Sequence, residues 1–345
     1  KMVTLTATRA GGDADNYTYD AHATTAASIT PKPLAGSIVA ADKVYDGSTT
    51  AATSGTLAGV IAGDSVTLSS SGSFADRNAG HGKAVSISGT MLAGADAGNY
   101  ILQSSNATTT ASITPKALSG SITAADKIYD GTTAARTSGT LGGLIAGDNV
   151  TFATSGSFDD RNAGMGKTVT VGGNLAGADS GNFLLQASNA DTTASIAPKA
   201  LTGRITAADK VYDGSTMAVT NGSLAGAISG DSVDLLSKGS FADKNAGAGK
   251  TVSVTGRLSG ADAGNYMLDA NDTTTASITR ANLVVTVNNA IQPWSGRPYA
   301  GGNGVHFSGF VPGEDASVLS GALAYGGSAQ GASLPGNYGL TASGL

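Results

Sequence analysis

Cysteine is absent from the 345 residues, so neither disulfides nor thiolate metal sites can brace the fold, and side-chain packing alone must hold it. Charge is scarce as well: 13% of residues are charged, and glutamate occurs once, at Glu314. That share is about half the usual one for a soluble domain. Exposed helical faces draw on Glu, Lys, Gln and Arg, so helices are not expected to dominate. Aromatic residues make up 5%, with one tryptophan, Trp294. No apolar run approaches the roughly 18 residues that mark a membrane span, and no signal-peptide pattern opens at Lys1. Any targeting segment is expected outside this stretch, and no membrane insertion is expected. The formal net charge is −5 and no basic stripe exists, which argues against a nucleic-acid partner, because phosphate binding needs clustered Lys and Arg.

What the chain has instead is glycine, at 50 positions, with Ser, Thr, Ala, Asp and Asn around it. Gly, Asn and Asp suit turns, and Thr, Val, Ile and Tyr suit a pleated sheet. It also has a long internal repeat. Lys43 to Gly47 reads KVYDG, Lys127 to Gly131 reads KIYDG and Lys210 to Gly214 reads KVYDG, so that Tyr45, Tyr129 and Tyr212 are spaced by 84 and then 83 residues. The other landmarks keep step: Asp64, Asp148 and Asp231 in AGD or SGD, Phe74, Phe158 and Phe241 opening FADRNAG, FDDRNAG and FADKNAG, and Asn99, Asn182 and Asn265 in GADAGNY or GADSGNF. The expected organisation is the end of a preceding copy at residues 1–31, three copies at 32–115, 116–198 and 199–279, and a shorter divergent unit at 280–345.

Period-two patterning and turn residues place strands of the second copy near Leu118 to Ala124, Lys127 to Tyr129, Val150 to Ala153, Gly156 to Phe158, Thr168 to Val171, Phe183 to Gln186 and Thr192 to Ile196. The stretch LGGLIAGD before Asp148 is read as one helical turn. The expected fold class is all-β: a tandem array of small β-domains, immunoglobulin-like sandwiches or β-grasp-like sheets, each burying its own interior, laid out as an elongated rod.

Several residues are candidates for a site. Tyr45, Tyr129 and Tyr212 form either a spaced row of sugar-stacking rings or, the preferred reading, core side chains, since so few aromatics are available to each copy. Trp294, beside Pro293, is either a ligand anchor or, preferred, a buried residue near a boundary. Asp96 with Asn99, Asp179 with Asn182, Asp262 with Asn265, and Asp13, Asp15 and Asn16 offer hard oxygens to calcium, but no run resembles a full calcium loop, and turn caps are the preferred reading. No other cofactor is expected. Asp76 with Arg77, Asp160 with Arg161 and Asp243 with Lys244 are read as weak local ion pairs on solvated turns, with a contact between copies as the alternative. His22, His81 and His306 sit at unrelated positions and support neither a nucleophile triad nor a zinc site. The paired carboxylates of Asp159 and Asp160 lose one member in the other copies, where Ala75 and Ala242 replace Asp159. No enzymatic activity is expected.

The blocks YDG, GDSVTL, SGSFADRNAG, LAGADAGNY and ITPK, recurring in order, resemble the YDG repeat, and RPYAGG at Arg297 with GFVPGED at Gly309 resembles the related MBG repeat. The resemblance implies a segment of a filamentous-haemagglutinin-like exoprotein of Gram-negative bacteria, exported by two-partner secretion and serving surface adhesion, aggregation or biofilm formation. Implied partners are a host or matrix glycan or a surface protein, together with neighbouring repeats of the same chain. The alternative is that the repeats are themselves carbohydrate-binding modules.

Overall fold

The computed structural model describes residues 1–4, 8–18 and 24–345; His22 lies outside them. The fold is all-β, with tandem copies of one β-domain and no α-helix among the described residues. In the first copy the long strand Lys32–Ala40 lies between Thr53–Ala58, antiparallel, and Tyr100–Ser104, parallel. A second sheet runs Lys43–Val44, Thr108–Thr114, Gly80–Ala93, Thr67–Phe74, Thr50–Ala51. Its pairings are antiparallel except the first, which is parallel. The third copy repeats both sheets strand for strand. The stretch LGGLIAGD is not helical. Gly147 takes a positive φ of 91° and Asp148 N–H bonds the Ile145 carbonyl, so it closes as a tight turn.

The alternation read in the sequence appears as burial. Along Lys32–Ala40 the buried side chains are Leu34 and Ile38, with Gly36 between them. The glycines of this sheet form a notch that a side chain of the second sheet enters. A Cβ on Gly36 would stand 2.7 Å from Leu68 Cδ2, and one on Gly55 2.9 Å from Leu68 Cβ. In the second copy Phe152 fills the notch: added Cβ atoms at Gly120 and Gly139 would lie 2.9 and 2.5 Å from its ring, and one on Gly173, in the ring's own sheet, 2.2 Å from it. Thr137–Gly142, absent from the sequence reading, is a strand whose Gly139 admits that ring.

Asn106, Asn189 and Asn271 tie the two sheets together. Asn189 Oδ1 accepts the Ile122 N–H at 2.8 Å and its Nδ2 donates to the Ile122 carbonyl at 2.8 Å, so an amide side chain pairs with the central strand as another strand would. Asn106 does the same at Ile38 and Asn271 at Ile205.

The irregular period has a local cause. In the first copy Gly80–Ala93 has 14 residues, against 13 for Gly164–Ala176 and Gly247–Ser259. The pairing slips between Ser69 and Ser71 in the first copy, whereas Asp234–Phe241 pairs without a break in the third. Gly89 takes a φ of 61° there. The extra residue is a β-bulge, absorbed without moving the flanking side chains to the wrong face.

Two compact units divide the chain. One comprises Lys1–Ala125, Ala135–Ser157 and Thr168–Thr193, the other Asp126–Ala134, Phe158–Lys167 and Ala194–Leu345. Neither boundary follows the repeat. Within the first unit one hydrophobic cluster joins Tyr45, Phe74, Val85 and Ile113 of the first copy to Leu118 and Phe183 of the second. This cluster corrects the expectation of a separate interior for the first and second copies, while the cluster of Ile205, Phe241, Val252 and Ile278 stays within the third copy. Each copy has few large apolar side chains, and the Tyr45 ring completes its burial against the next copy.

Glycine at the notch is testable. Gly139→Ala places a methyl against Phe152 and is expected to destabilise the protein by about 1–3 kcal/mol, as overpacking does, seen as a lower urea midpoint. Asn189→Ala, which leaves both backbone groups of Ile122 unpaired, should cost a similar ~1–3 kcal/mol; an unchanged midpoint would contradict its role as a tie.

Candidate functional site

The Tyr-Asp-Gly turn is built the same way in the three copies. Lys43 Nζ donates to Asp46 Oδ1 at 2.7 Å and to the carbonyls of Ser48 and Thr50 at 2.8 and 3.0 Å. The same ammonium stands 5.7 Å from the centroid of the Phe74 ring, a cation–π distance. Asp46 accepts the Ser48 N–H at 2.9 Å, and Gly47 supplies the φ of 79° the turn needs. The Lys43 hydrogen bond holds the Asp46 carboxyl at about 2, and Lys210 does the same for Asp213. At Asp130 burial pushes upward, but Lys127 and Thr132 outweigh it and the carboxyl again rests at about 2.

A turn locked from within aims its tyrosine at the following copy. Tyr45 Oη donates to Asp148 Oδ2 at 2.8 Å, and Tyr129 Oη to Asp231 Oδ2 at 2.8 Å. Tyr212 Oη donates to Glu314 Oε1 in the terminal unit. The Tyr45 ring meets Phe183 edge-on, with centroids 5.3 Å apart at 80°, and Tyr129 meets Tyr266 at 5.4 Å and 80°. Tyr45 and Tyr129 are 1% and 2% exposed and Tyr212 is half-buried. The reading of Tyr45 and Tyr129 as sugar-stacking rings is corrected: both ring faces lie against protein, and Tyr212 points its hydroxyl into the same kind of contact.

Beside each tyrosine stands the basic residue of the FADRNAG block. Arg77 Nη1 lies 2.8 Å from Asp148 Oδ1 and Nη2 lies 3.0 Å from Asp179 Oδ1. Arg161 bridges Asp231 and Asp262 at 3.0 and 2.9 Å. The expectation of local pairs with Asp76, Asp160 and Asp243 is corrected. Adjacent residues of the loop point apart, so Asp76 pairs with Lys83 at 2.6 Å, Asp160 with Lys167 at 2.7 Å and Asp243 with Lys250, while the neighbouring cation crosses to the next copy. Asn182 closes the contact, its Oδ1 accepting the Ala79 N–H at 2.8 Å and its Nδ2 donating to Asn78 Oδ1 at 3.2 Å. Asn265 repeats both bonds with Ala163 and Asn162.

Asp148 and Asp231 have no exposed side-chain surface. Asp231 collects the hydroxyls of Tyr129 and of its own copy's Tyr266, the latter at 2.5 Å. Those hydrogen bonds, Tyr266 first, together with Arg161, hold its carboxyl below the usual range against the opposing push of burial. Of the residues considered for calcium, Asp179 and Asp262 are engaged: Asp179 Oδ1 faces Arg77 and its Oδ2 accepts the Asn149 N–H at 2.8 Å, and Asp262 faces Arg161 and accepts the Ser232 N–H at 2.9 Å. No group of three or more His, Cys, Asp or Glu suited to a metal occurs among the described residues.

The first copy carries the same acceptor residues, Ile61, Asp64, Asp96 and Asn99, with no tyrosine turn over them among the described residues. Ile61 is 54% exposed there and Asn99 is exposed, whereas Asn182 and Asn265 are buried. The difference measures what a docked turn covers.

Trp294 corrects a further expectation. It is 71% exposed, its indole N–H donating to the Ser333 carbonyl at 3.3 Å. It flanks a trough of about 580 Å³ in the terminal unit, lined among others by Asn288, Arg297, Tyr299, Asn337 and Tyr338.

The family model described as the YDG domain matches residues 30–110, 114–193 and 197–276. No curated protein matches the chain.

Tyr129→Phe keeps the ring and removes the donor to Asp231, and is expected to cost about 1–2 kcal/mol; Tyr129→Ala should cost about 3–5 kcal/mol, both read from chemical unfolding. Burial first, and then the hydrogen bond to the carboxylate, raises Tyr45 and Tyr129 from 10.0 to about 12. A raised folded value stabilises the protonated form, so this contribution is complete below pH 10.0 and is lost as the pH climbs to about 12. Titration of tyrosinate absorbance should show delayed ionisation of these two side chains, coincident with unfolding. Two more tyrosines titrating at the free value would contradict the clamp.

Proposed function

Since the chain belongs to the YDG-domain family and its copies are clamped one to the next, we propose that it is a repetitive stalk and interaction segment of a large bacterial surface adhesin. The segment stands outside the cell, in a filamentous-haemagglutinin-like exoprotein exported by two-partner secretion, and supports adhesion, aggregation or biofilm formation. One observation carries the reading: the recurring Tyr, Arg and Asn side chains of the repeat are turned onto the adjoining copy, bonded to Asp148, Asp231 or the loop backbone. Side chains committed to holding copies in series serve a spacer. The absence of cysteine supports export of an unfolded chain through a narrow pore. The RPYAGG and GFVPGED blocks of the terminal unit support an MBG-type module at residues 280–345. The partner is a host or matrix glycan, or a surface protein, engaged with the whole adhesin.

A second reading, glycan binding by this segment itself, is favoured by the exposed indole of Trp294 beside its trough. It places recognition in the terminal unit rather than in the YDG copies.

Deleting residues 32–279 in frame from the parent surface protein is expected to reduce cell adhesion or aggregation severalfold, while the purified chain retains no sugar on a glycan array. Adhesion unchanged by the deletion would overturn the stalk reading. Array retention lost on Trp294→Ala would move the function to the second.

A further inference from the structure

The contact that follows the third copy uses different residues from the two before it, and the differences are matched. Where the first and second copies present Arg77 and Arg161, the third presents Lys244; where the second and third copies receive them on Asp148 and Asp231, the terminal unit offers Glu314. The positions correspond. Asp148, Asp231 and Glu314 each donate their backbone N–H to the residue three before, Ile145, Ile228 and Val311, at 3.2, 3.1 and 3.1 Å. The glycine of the incoming turn meets that same residue every time: a Cβ on Gly47, Gly131 or Gly214 would lie 3.0, 3.1 or 3.3 Å from Ile145, Ile228 or Val311. At this point the two loops therefore approach each other alike, while the charged pair they carry has changed.

Reach explains why both partners change together. Arginine extends one bond further from its Cα than lysine does, and glutamate one bond further than aspartate. Exchanging Arg–Asp for Lys–Glu leaves the total span intact, and Lys244 Nζ meets Glu314 Oε1 at 2.8 Å, as Arg77 meets Asp148 at 2.8 Å. Number of partners explains the rest. The guanidinium forks across two carboxylates, Asp148 with Asp179 or Asp231 with Asp262. The ammonium is a single point charge, and it faces the one carboxylate of Glu314, which also takes the Tyr212 hydroxyl. Glu314 is the only glutamate in the chain, so its extra methylene is not a matter of background composition.

We propose that this pair is an address that fixes which kind of unit docks after a given copy. Arginine in the FADRNAG block specifies another copy with its two-aspartate face. Lysine specifies the terminal unit with its single glutamate. Lysine set against the aspartate pair falls short of one carboxylate and leaves the second without a cation. Arginine set against Glu314 is too long for the gap and has an unused arm. The selection works chiefly against the wrong neighbour, as specificity between related surfaces generally must.

A double-mutant cycle on the full chain tests this, read by amide hydrogen exchange in residues 309–319. Lys244→Arg and Glu314→Asp should each speed exchange there about tenfold, the change that corresponds to ~1.4 kcal/mol of coupling. The double variant Lys244→Arg with Glu314→Asp should return to within about threefold of the parent chain. Exchange in residues 32–115 should stay unchanged in all three and serves as the folding control. Losses that add in the double variant would overturn the proposal. Glu314→Gln keeps the length and removes the charge; exchange like that of the parent chain would overturn it as well. Arg161→Lys with Asp231→Glu should recover only in part, because Asp262 still lacks its cation. Full recovery at that contact would show that the fork does not read the second carboxylate.

Discussion

A carboxylate sealed from water governs how these copies meet. Stripping an ionised group of its hydration costs several kcal/mol unless charge and hydrogen bonds replace what is lost. Among the described residues Asp148 recovers that loss from the preceding copy's tyrosine and arginine, and Asp231 from the same two side chains together with its own copy's Tyr266. The burial therefore acts as a condition: the correct turn satisfies it, and an apolar or misdirected loop leaves a naked charge. Much of the surrounding architecture serves this condition. Lys43 grips its own turn so that Tyr45 leaves in one direction, and Asn182 fixes the loop that carries Arg77.

The apolar part of the contact follows from the same poverty of large side chains that the composition announces. A copy with one tyrosine and one phenylalanine in its motif cannot enclose both within itself. Tyr45 is completed by Phe183, and Leu118 joins the cluster that Ile113 begins. Glycine is the other half of this economy. Instead of two bulky layers interdigitating, one Leu or Phe enters a notch from which side chains are missing, and a sheet with little apolar mass still reaches close contact.

Much of this was legible beforehand. The period, the all-β class and the strands at Lys116–Ala124, Phe183–Ala187 and Asp191–Ala197 follow from alternation and from the turn residues between them. Thr137–Gly142 escaped because glycine in a short polar run reads as a turn, and only Phe152, from the other sheet, explains its presence. The break read between Ala153 and Gly156 is likewise absent, and Thr151–Phe158 is one strand. The clamp was half visible. Its residues recur at every period, yet Arg77 finds Asp179 across 102 positions, and adjacency favoured Asp76. The joint appearance of Lys244 and Glu314 is the one signal in the sequence that pairs them. Trp294 went the other way: a lone tryptophan suggests a core, but the loops around it form an open trough.

Each copy carries a donor turn for its successor and an acceptor face for its predecessor, and the two are complementary by construction. Recombination between identical stretches of such a gene can therefore gain or lose whole periods without leaving an unmatched surface inside the array. An exchange out of phase would strand one half of a clamp. The clamp thus leaves the number of copies open while it holds the phase of the repeat in place.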